Sequence, residues 1–324
     1  MRRGGRSQQF PALPDYQANA SFGLPFTAAG ITYYSTLISP AYRDVSFAII
    51  DETGPLAIIQ CDIDNGGPIG RFGMPIEIWQ RGEPAPAQDR QFVREMMGEL
   101  QRLALDLKSP ILIRTSSGLD PGGFLAARLA DMGGEPIASV RAVLDLSRSD
   151  EELLKAMHKG HRQDIRWGAD HLTMRLVDKA NPDEALFDAY RLLHADVSGR
   201  VTRPMESWQA MFGLIAGGEG DLLLAYLDRE LVGGTLVLDG GDRAYYASGA
   251  NRRERFDKGI SHYPLFLACI RARSRGRRLF DVGETRGGSI DRNDLKQIAI
   301  GRFKSGFTDS ADTSFIWTVP AKTP

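Results

Sequence analysis

The stretch from Gly220 to Val319 constrains the fold most, because its apolar runs and turn residues predict a fixed succession of elements. Leu222–Leu227 and Leu231–Leu238 flank Asp228-Arg229-Glu230, which predicts a hairpin. Gly240-Gly241-Asp242 turns the chain into a third strand, Arg243–Ser248. A basic turn ending in Lys258-Gly259-Ile260-Ser261 then leads into a helix over His262–Ser274, with Pro264 in its first turn. Arg278–Val282 is expected to be a strand, Leu295–Lys304 a helix and Ser314–Val319 a last strand. This order places a helix N-terminus at the open end of strands, where unpaired N–H groups and the macrodipole favour an anion.

The preceding half reads in the same alphabet. Val45–Ile50 and Pro55–Asp62 are predicted strands joined by Asp51-Glu52-Thr53-Gly54. Ala87–Leu107 carries Phe92, Met96, Leu100 and Leu103 at helical spacing. A strand at Pro110–Arg114, a helix at Gly122–Met132 stopped by Gly133-Gly134, and a strand at Ile137–Leu146 follow. Ser149 with Glu152 three residues on is a capping box, predicting a helix through about Trp167 that exposes Lys155, Lys159, His161, Arg162 and Arg166. Leu172–Val177 is then a strand, and Asp183–Asp196 and Ser207–Ile215 are helices. At 324 residues the chain suits two domains of about 150 residues each. The expected class is α/β (α+β), two tandem domains with a mixed sheet flanked by helices in each. The expected divisions are a loose tail over 1–20, one domain over 21–146 and a second over 147–324.

A formal net charge of −1 argues against indiscriminate coating of nucleic acid. Between Arg243 and Arg278, however, ten Lys/Arg face only Glu254 and Asp257, a local excess of eight. Such a patch either attracts phosphates and carboxylates or is a solvated helix face. Cys61 and Cys269 are too few and too far apart for a disulfide framework or a zinc site, which points to a reducing, cytoplasmic setting. His158 and His161 lie without a carboxylate or cysteine cluster, so no metal is expected. No run approaches the ~18 apolar residues of a membrane span.

Five blocks in order carry a family resemblance over Asp145–Thr318: the basic segment Leu153–Arg166, Thr202-Arg203-Pro204, Ala244-Tyr245-Tyr246, Lys258-Gly259, and Phe303-Lys304-Ser305-Gly306-Phe307. Together they resemble the Fem family (FemAB/FemX-related) of peptidyl- and aminoacyl-transferases, whose members are tandem GNAT-like proteins. The resemblance implies two GNAT-like domains. It implies an acyltransferase acting on an amine or hydroxyl of a sugar or peptide precursor in cell-envelope or surface-polysaccharide biosynthesis. It further implies that Lys304 and Arg203 meet the phosphorylated acceptor or the developing charge. A fixed cation such as Lys304 suits the oxyanion of a tetrahedral intermediate. GNAT enzymes hold the coenzyme A pyrophosphate on a turn reading Arg/Gln-x-x-Gly-x-Gly/Ala. Phe256-Asp257-Lys258-Gly259-Ile260-Ser261 keeps the central glycine and the small last residue but lacks the leading Arg or Gln.

Arg255, Lys258, Gly259 and Ser261 are the candidate anion-binding residues at that turn, with Arg203 and Tyr245 as further substrate contacts. Tyr246, His262 and Asp281 are the candidate acids and bases beside Lys304. No Ser-His-Asp pattern or cysteine nucleophile stands out, so direct transfer is expected rather than an acyl-enzyme. The expected co-substrate is acyl-coenzyme A, an acyl carrier protein or aminoacyl-tRNA, with no tightly bound cofactor. The expected acceptor is a small or nucleotide-linked sugar or peptide. A tRNA-dependent aminoacyltransferase and a non-catalytic binder of an anionic glycan precursor are the alternatives.

Overall fold

A computed structural model of the protein describes residues 8–9, 28–36, 43–51, 54–64, 67–69, 75–80, 86–116, 124–255, 259–288 and 293–321. Its first half contains β1 (Gln8–Gln9), α1 (Ala28–Ser35), β2 (Arg43–Asp44), β3 (Phe47–Asp51), β4 (Gly54–Gln60), β5 (Asp62–Asp64), β6 (Gly67–Ile69) and β7 (Glu77–Gln80). Then come α2 (Pro86–Leu107), β8 (Ile111–Ser116), α3 (Phe124–Asp131) and β9 (Glu135–Asp145). The chain continues through α4 (Asp150–Ala156), α5 (Lys159–His171), β10 (Thr173–Val177), α6 (Glu184–Ser198) and α7 (Met205–Gly217). It ends with β11 (Gly220–Leu227), β12 (Glu230–Gly240), β13 (Arg243–Asn251), α8 (His262–Ser274), β14 (Leu279–Gly287), α9 (Leu295–Ser305) and β15 (Ala311–Val319). Of the expected tail, only Gln8–Gln9 is described, paired with Phe47–Ala48 of β3; the rest lies outside the described residues.

An eight-stranded sheet dominates, in the order β10-β11-β12-β13-β14-β9-β15-β8. Every neighbouring pair in it is antiparallel except β13 and β14, which run parallel with α8 as their crossover. The parallel pair needs the crossover because two strands running the same way cannot be joined by a tight turn. β12 is apolar on both faces, and both are covered. Val237 and Leu223 pack with α8 residues Leu265, Phe266 and Cys269, while Leu236, Leu238 and Leu222 pack with Tyr190 of α6 and Met211 of α7. Phe280 and Phe307 are fully buried in the first of these cores. Each such side chain contributes about 1.5–3 kcal/mol.

A third core joins Ile59, Ile78, Met96, Leu100, Ile111, Ile113 and Leu129 with Trp317 and Val319 of the last strand. β15 thus lies between β9 and β8 and completes a core built mainly from the first half of the chain. The large sheet thereby runs across the expected boundary at 146/147. Among the described residues no helix is long and apolar enough to cross a membrane.

The helix expected from Ser149 to about Trp167 is two helices. The capping box is formed, with Ser149 accepting from the Glu152 N–H and Glu152 accepting from the Ser149 N–H. The helix stops at Met157 because the His158 N–H turns away to the Gly306 carbonyl at 2.9 Å, and Arg162 donates to the Lys155 and Met157 carbonyls. His161 is drawn out of the exposed basic face by the same turn: its ring packs edge-on to Phe307 at 4.7 Å, and its Nε2 lies 2.8 Å from the Phe303 carbonyl.

Among the described residues every cation of the basic stretch except Arg253 is paired with a carboxylate. Arg271 and Arg275 both reach the buried Asp221, with Asp178 and Asp239 as further partners. Arg277 meets Asp239, Arg278 meets Asp242, Arg273 meets Asp150, and Arg252 meets Asp196 and Glu230. These are structural ion pairs rather than an open anion-attracting patch.

Candidate active site

Where β13 and β14 part, the sheet opens a notch. The two strands pair only through Arg243–Leu279, Ala244–Phe280 and Tyr245–Asp281, after which each continues alone along this edge. Ligands of α/β sheets favour such crevices beyond the carboxyl ends of adjacent parallel strands. Gly283 follows at φ +109°, a conformation that side chains rarely adopt, and a Cβ there would stand 2.8 Å from Lys304 Nζ. The missing side chain is the space the lysine amine uses. α9 can deliver it because Gly301 lets the helix ride on β14, where a Cβ would meet the Thr285 carbonyl oxygen at 2.4 Å. Burial, then Arg141, holds the Lys304 amine below the ordinary lysine range, with Asp281 and Glu284 pulling the other way.

Asp281 is 2% exposed and fully engaged. It accepts from Arg141 Nε at 2.9 Å and Nη2 at 3.1 Å, from Arg243 Nη1 at 3.3 Å and from the Gly283 N–H at 2.8 Å. That geometry makes it the anchor of two guanidinium groups rather than a free proton carrier. Around it gather residues the sequence reading did not single out. Arg114 donates to Ser139 and Ser314 and lies 3.9 Å from Glu77, and Ser139 donates to Glu284. Arg243 also faces Asp312 at 3.8 Å. Burial pushes the Glu77 carboxyl up, opposed by Arg114 and Arg141. Four cations (Arg114, Arg141, Arg243, Lys304) thus meet four carboxylates (Glu77, Asp281, Glu284, Asp312) in one cluster. Opposite charges kept this close can remain ionised away from water.

Tyr245 and Tyr246 point to opposite faces, as alternation requires. Tyr245 packs with Tyr33, Tyr34 and Tyr190 on the α6–α7 side, where burial raises its pKa and the charges of Arg243, Glu77, Asp281 and Arg141 act on it. Tyr246 packs on the α8 side, where burial pushes its phenol up to about 12. The β12 pairing skips from Tyr246 to Ser248, so Ala247 is an extra residue in the strand. Such a bulge twists the strand and re-aims its side chains. The Tyr246 hydroxyl folds back under Gly249, where a Cβ would lie 1.9 Å from it.

The first turn of α8 is packed rather than open. A Cβ on Gly259 would lie 2.5 Å from Asp164 Cβ and 2.9 Å from the Asp164 carbonyl oxygen, so this glycine serves close approach to α5. Arg255 is paired with Glu230 at 3.0 Å, and Ser261 makes no capping hydrogen bond through its side chain. Lys258 lies outside the described residues. His262 sits against His161 at 4.5 Å, Phe303 at 5.1 Å and Phe307 at 5.7 Å, with Nε2 3.5 Å from Asp164. Burial, then His161, lowers its pKa to about 4, and its buried Nδ1 has no hydrogen-bond partner.

Arg203 stands before α7 with its guanidinium carbon 5.4 Å from the Trp208 ring centroid. Its Nε and Nη1 are buried without a hydrogen-bond partner. Its charge acts on Tyr33, whose ring lies 4.8 Å from Tyr34, and helps burial depress His194. The structure therefore gathers Lys304, Asp281 and Tyr245 in the charged cluster, and sets Arg203 beside Tyr33 next to it. Tyr246 and His262 lie on the α8 side, Arg255 and Gly259 are engaged by Glu230 and Asp164, and Ser261 stands at the start of α8. The signal that could have found Arg114 and Arg141 is a charge embedded in an otherwise apolar strand, at Ile111-Leu112-Ile113-Arg114 and Val140-Arg141-Ala142-Val143.

Residues 155–291 match the model of the GNAT acetyltransferase domain. No curated protein sequence matches the chain. The crystal structure of FemX superposes with a TM-score of 0.67 at 13% identity, covering 96% of this chain and 96% of that one. L-PGS from Bacillus licheniformis superposes with a TM-score of 0.55 at 11% identity over 98% and 93% of the two chains. A tandem GNAT protein from the clavulanic acid biosynthesis pathway gives 0.53 at 17% identity over 97% and 93%. Over residues 155–291 the chain is thus similar to the GNAT acetyltransferase domain, and its fold is the tandem GNAT fold shared by these structures.

Proposed function

We propose that the protein moves an acyl or aminoacyl group directly from a donor to an amine or hydroxyl of a sugar or peptide precursor in cell-envelope or surface-polysaccharide biosynthesis. The observation that carries this reading is the position of Lys304, its amine over Gly283 where β13 and β14 diverge. The attacking amine adds to the acyl carbonyl, and the oxygen gains negative charge. The Lys304 ammonium, its charge favoured by Asp281 and Glu284, donates to that oxygen. The leaving group takes up a proton as the attacking amine loses one. Arg203, with two buried nitrogens free to donate, anchors a phosphate or carboxylate of the acceptor. The division into domains over 21–146 and 147–324, and a cytoplasmic setting, belong to the same reading.

Acyl-coenzyme A is the co-substrate the GNAT domain implies, with an acyl carrier protein as the other thioester source. One observation favours a second donor, aminoacyl-tRNA: Gly259 is packed on Asp164 and Arg255 is tied to Glu230. Two residues at the position of the turn that holds pyrophosphate in GNAT enzymes are thus committed to contacts within the chain. A tRNA-dependent enzyme would lose activity to ribonuclease and to rising salt.

The test is Lys304→Ala with donor and acceptor binding measured beside turnover. Losing one oxyanion donor lowers kcat by about 100- to 1,000-fold, and the reading expects that with binding kept. Unchanged turnover sinks the role of Lys304. Wild-type protein that binds an anionic precursor but transfers nothing from any of the three donors is a binding protein instead.

A further inference from the structure

A cavity of 370 Å³ opens between the end of β14 and α9, lined by Thr285, Arg286, Gly287, Ile298, Gly301, Arg302 and Ser305. Lys304 does not line it; its amine goes to Gly283. Two backbone devices build the cavity. The β14–β9 register slips between Glu284 and Arg286, leaving Thr285 as an extra residue whose hydroxyl donates to the Val140 carbonyl at 3.0 Å. A bulge of this kind re-aims the next side chain, here Arg286. Gly287 then turns the chain at φ +68°, where a Cβ would collide with the Ala138 carbonyl. Across from them Ile298, Gly301, Arg302 and Ser305 share one face of α9, at the spacing of neighbours on a helix.

Among the described residues no carboxylate compensates the charge of the cavity. Among the described residues neither Arg286 nor Arg302 has an ion-pair partner, although Arg141, Arg243, Arg271, Arg273, Arg275, Arg277 and Arg278 all have one. Nearby carboxylates are committed elsewhere: Glu284 accepts from Ser139, and Asp294 caps the N-terminus of α9. The cavity of 460 Å³ beside α6, by contrast, is lined by Asp196 and Glu254 as well as Arg252 and Arg253, so its charges balance. The carbonyl end of α9 opposes an anion with about half a charge at most. Two full guanidinium charges outweigh it. A group with several anionic oxygens suits two planar donor forks best.

We propose that this cavity binds an organic phosphate, with Arg286 and Arg302 gripping its oxygens and Ile298 lying against the group that carries it. The phosphate belongs to a small molecule, either a nucleotide-linked acceptor or coenzyme A. The identity of the ligand rests on the acyl-transfer reading, whereas the phosphate site itself is read by binding alone.

Inorganic pyrophosphate titrated calorimetrically into the full chain tests it. Binding is expected to weaken with salt. Arg286→Gln and Arg302→Gln should each weaken it about tenfold or more, and the double variant should abolish it. Arg253→Gln and Lys304→Ala should leave it unchanged, so failure of this site and failure of the acyl-transfer reading are seen separately. Both arginines are exposed, so the substitutions spare the core. In wild-type protein pyrophosphate should also shield both from phenylglyoxal, read by peptide mass mapping. Displacement of pyrophosphate by uridine diphosphate, by coenzyme A or by both supports the assignment and names the source. Displacement by neither overturns it, as does pyrophosphate binding that the double variant retains.

Discussion

Asp281→Asn tests whether the carboxylate at the centre of the cluster positions the site or carries protons. The wild-type side chain accepts four hydrogen bonds, three of them from two guanidinium groups, and is 2% exposed. Asparagine keeps the volume but removes the charge, leaving Arg141 and Arg243 facing a neutral amide whose NH2 donors point at donors. Breaking a buried pair on one side costs about 3–5 kcal/mol. With an unfolding entropy of about 2.1 cal/mol/K per residue, a cooperative chain of 324 residues should lose roughly 4–7 °C in Tm. A second effect follows at Lys304. Asp281 supports its protonated form while Arg141 opposes it, so losing the carboxylate lowers the lysine pKa further. An oxyanion donor must be protonated, so the alkaline limb of the pH–rate profile should move to lower pH. Urea and thermal unfolding measure the first effect, and kcat/KM against pH the second. A variant with unchanged stability, an unmoved alkaline limb and a kcat lower by about 1,000-fold would refute the positioning role and restore Asp281 as the proton carrier.

Two further outcomes are expected. His262 is held neutral, its pKa lowered from 6.5 to about 4 with Asp164 and His161 as its titratable neighbours. Because the folded-state value is depressed, the stability is fully present above about pH 6.5 and is lost as pH falls towards 4. The loss amounts to about 3 kcal/mol at 1.36 kcal/mol per pKa unit. His262→Phe should remove most of this slope in urea midpoints taken at pH 7 and 4.5, and an unaltered slope would discount the histidine. Gly259→Ala drives a Cβ into the backbone of Asp164, which no rotamer change relieves, so a loss of about 1–3 kcal/mol is expected. Unchanged unfolding with weakened donor binding would instead make Gly259 part of an anion cradle.

The elements were legible wherever one period ran uninterrupted. Phe92, Met96, Leu100 and Leu103 marked a helix that the structure places at Pro86–Leu107, and His262–Ser274 is helical over the expected span. The helix Ala28–Ser35 was missed because it is short and its pattern one-sided only in context: Tyr33 packs in the same core as Trp208 and Met211 of α7. β7 was missed beside turn-forming residues, and its place comes from pairing with β4. The break after Ala156 had no local cause to read, since the group that captures the His158 N–H is the carbonyl of Gly306.

The site was half legible for a related reason. Lys304 and Asp281 lie where local order ends, at the last turn of a helix and inside a strand that leaves its partner, and such positions can be picked out along the chain. What each does depends on partners that sequence distance conceals. Asp281 was a candidate base until Arg141, 140 residues away, was found on it. The arginines of α8 were a candidate phosphate patch until Asp178, Asp221 and Asp239 were found among them. In both cases a surplus of charge along the chain became neutrality in space, because burying an unpaired charge costs more than these strands and helices could supply. The converse is the informative case. Where surplus survives folding, as at Arg203 with its two unpartnered nitrogens and at Arg286 and Arg302 over their cavity, the fold has kept a charge it had the means to neutralise. Those positions, more than the basic run that stood out in the sequence, are where the proposed readings seat an anionic substrate.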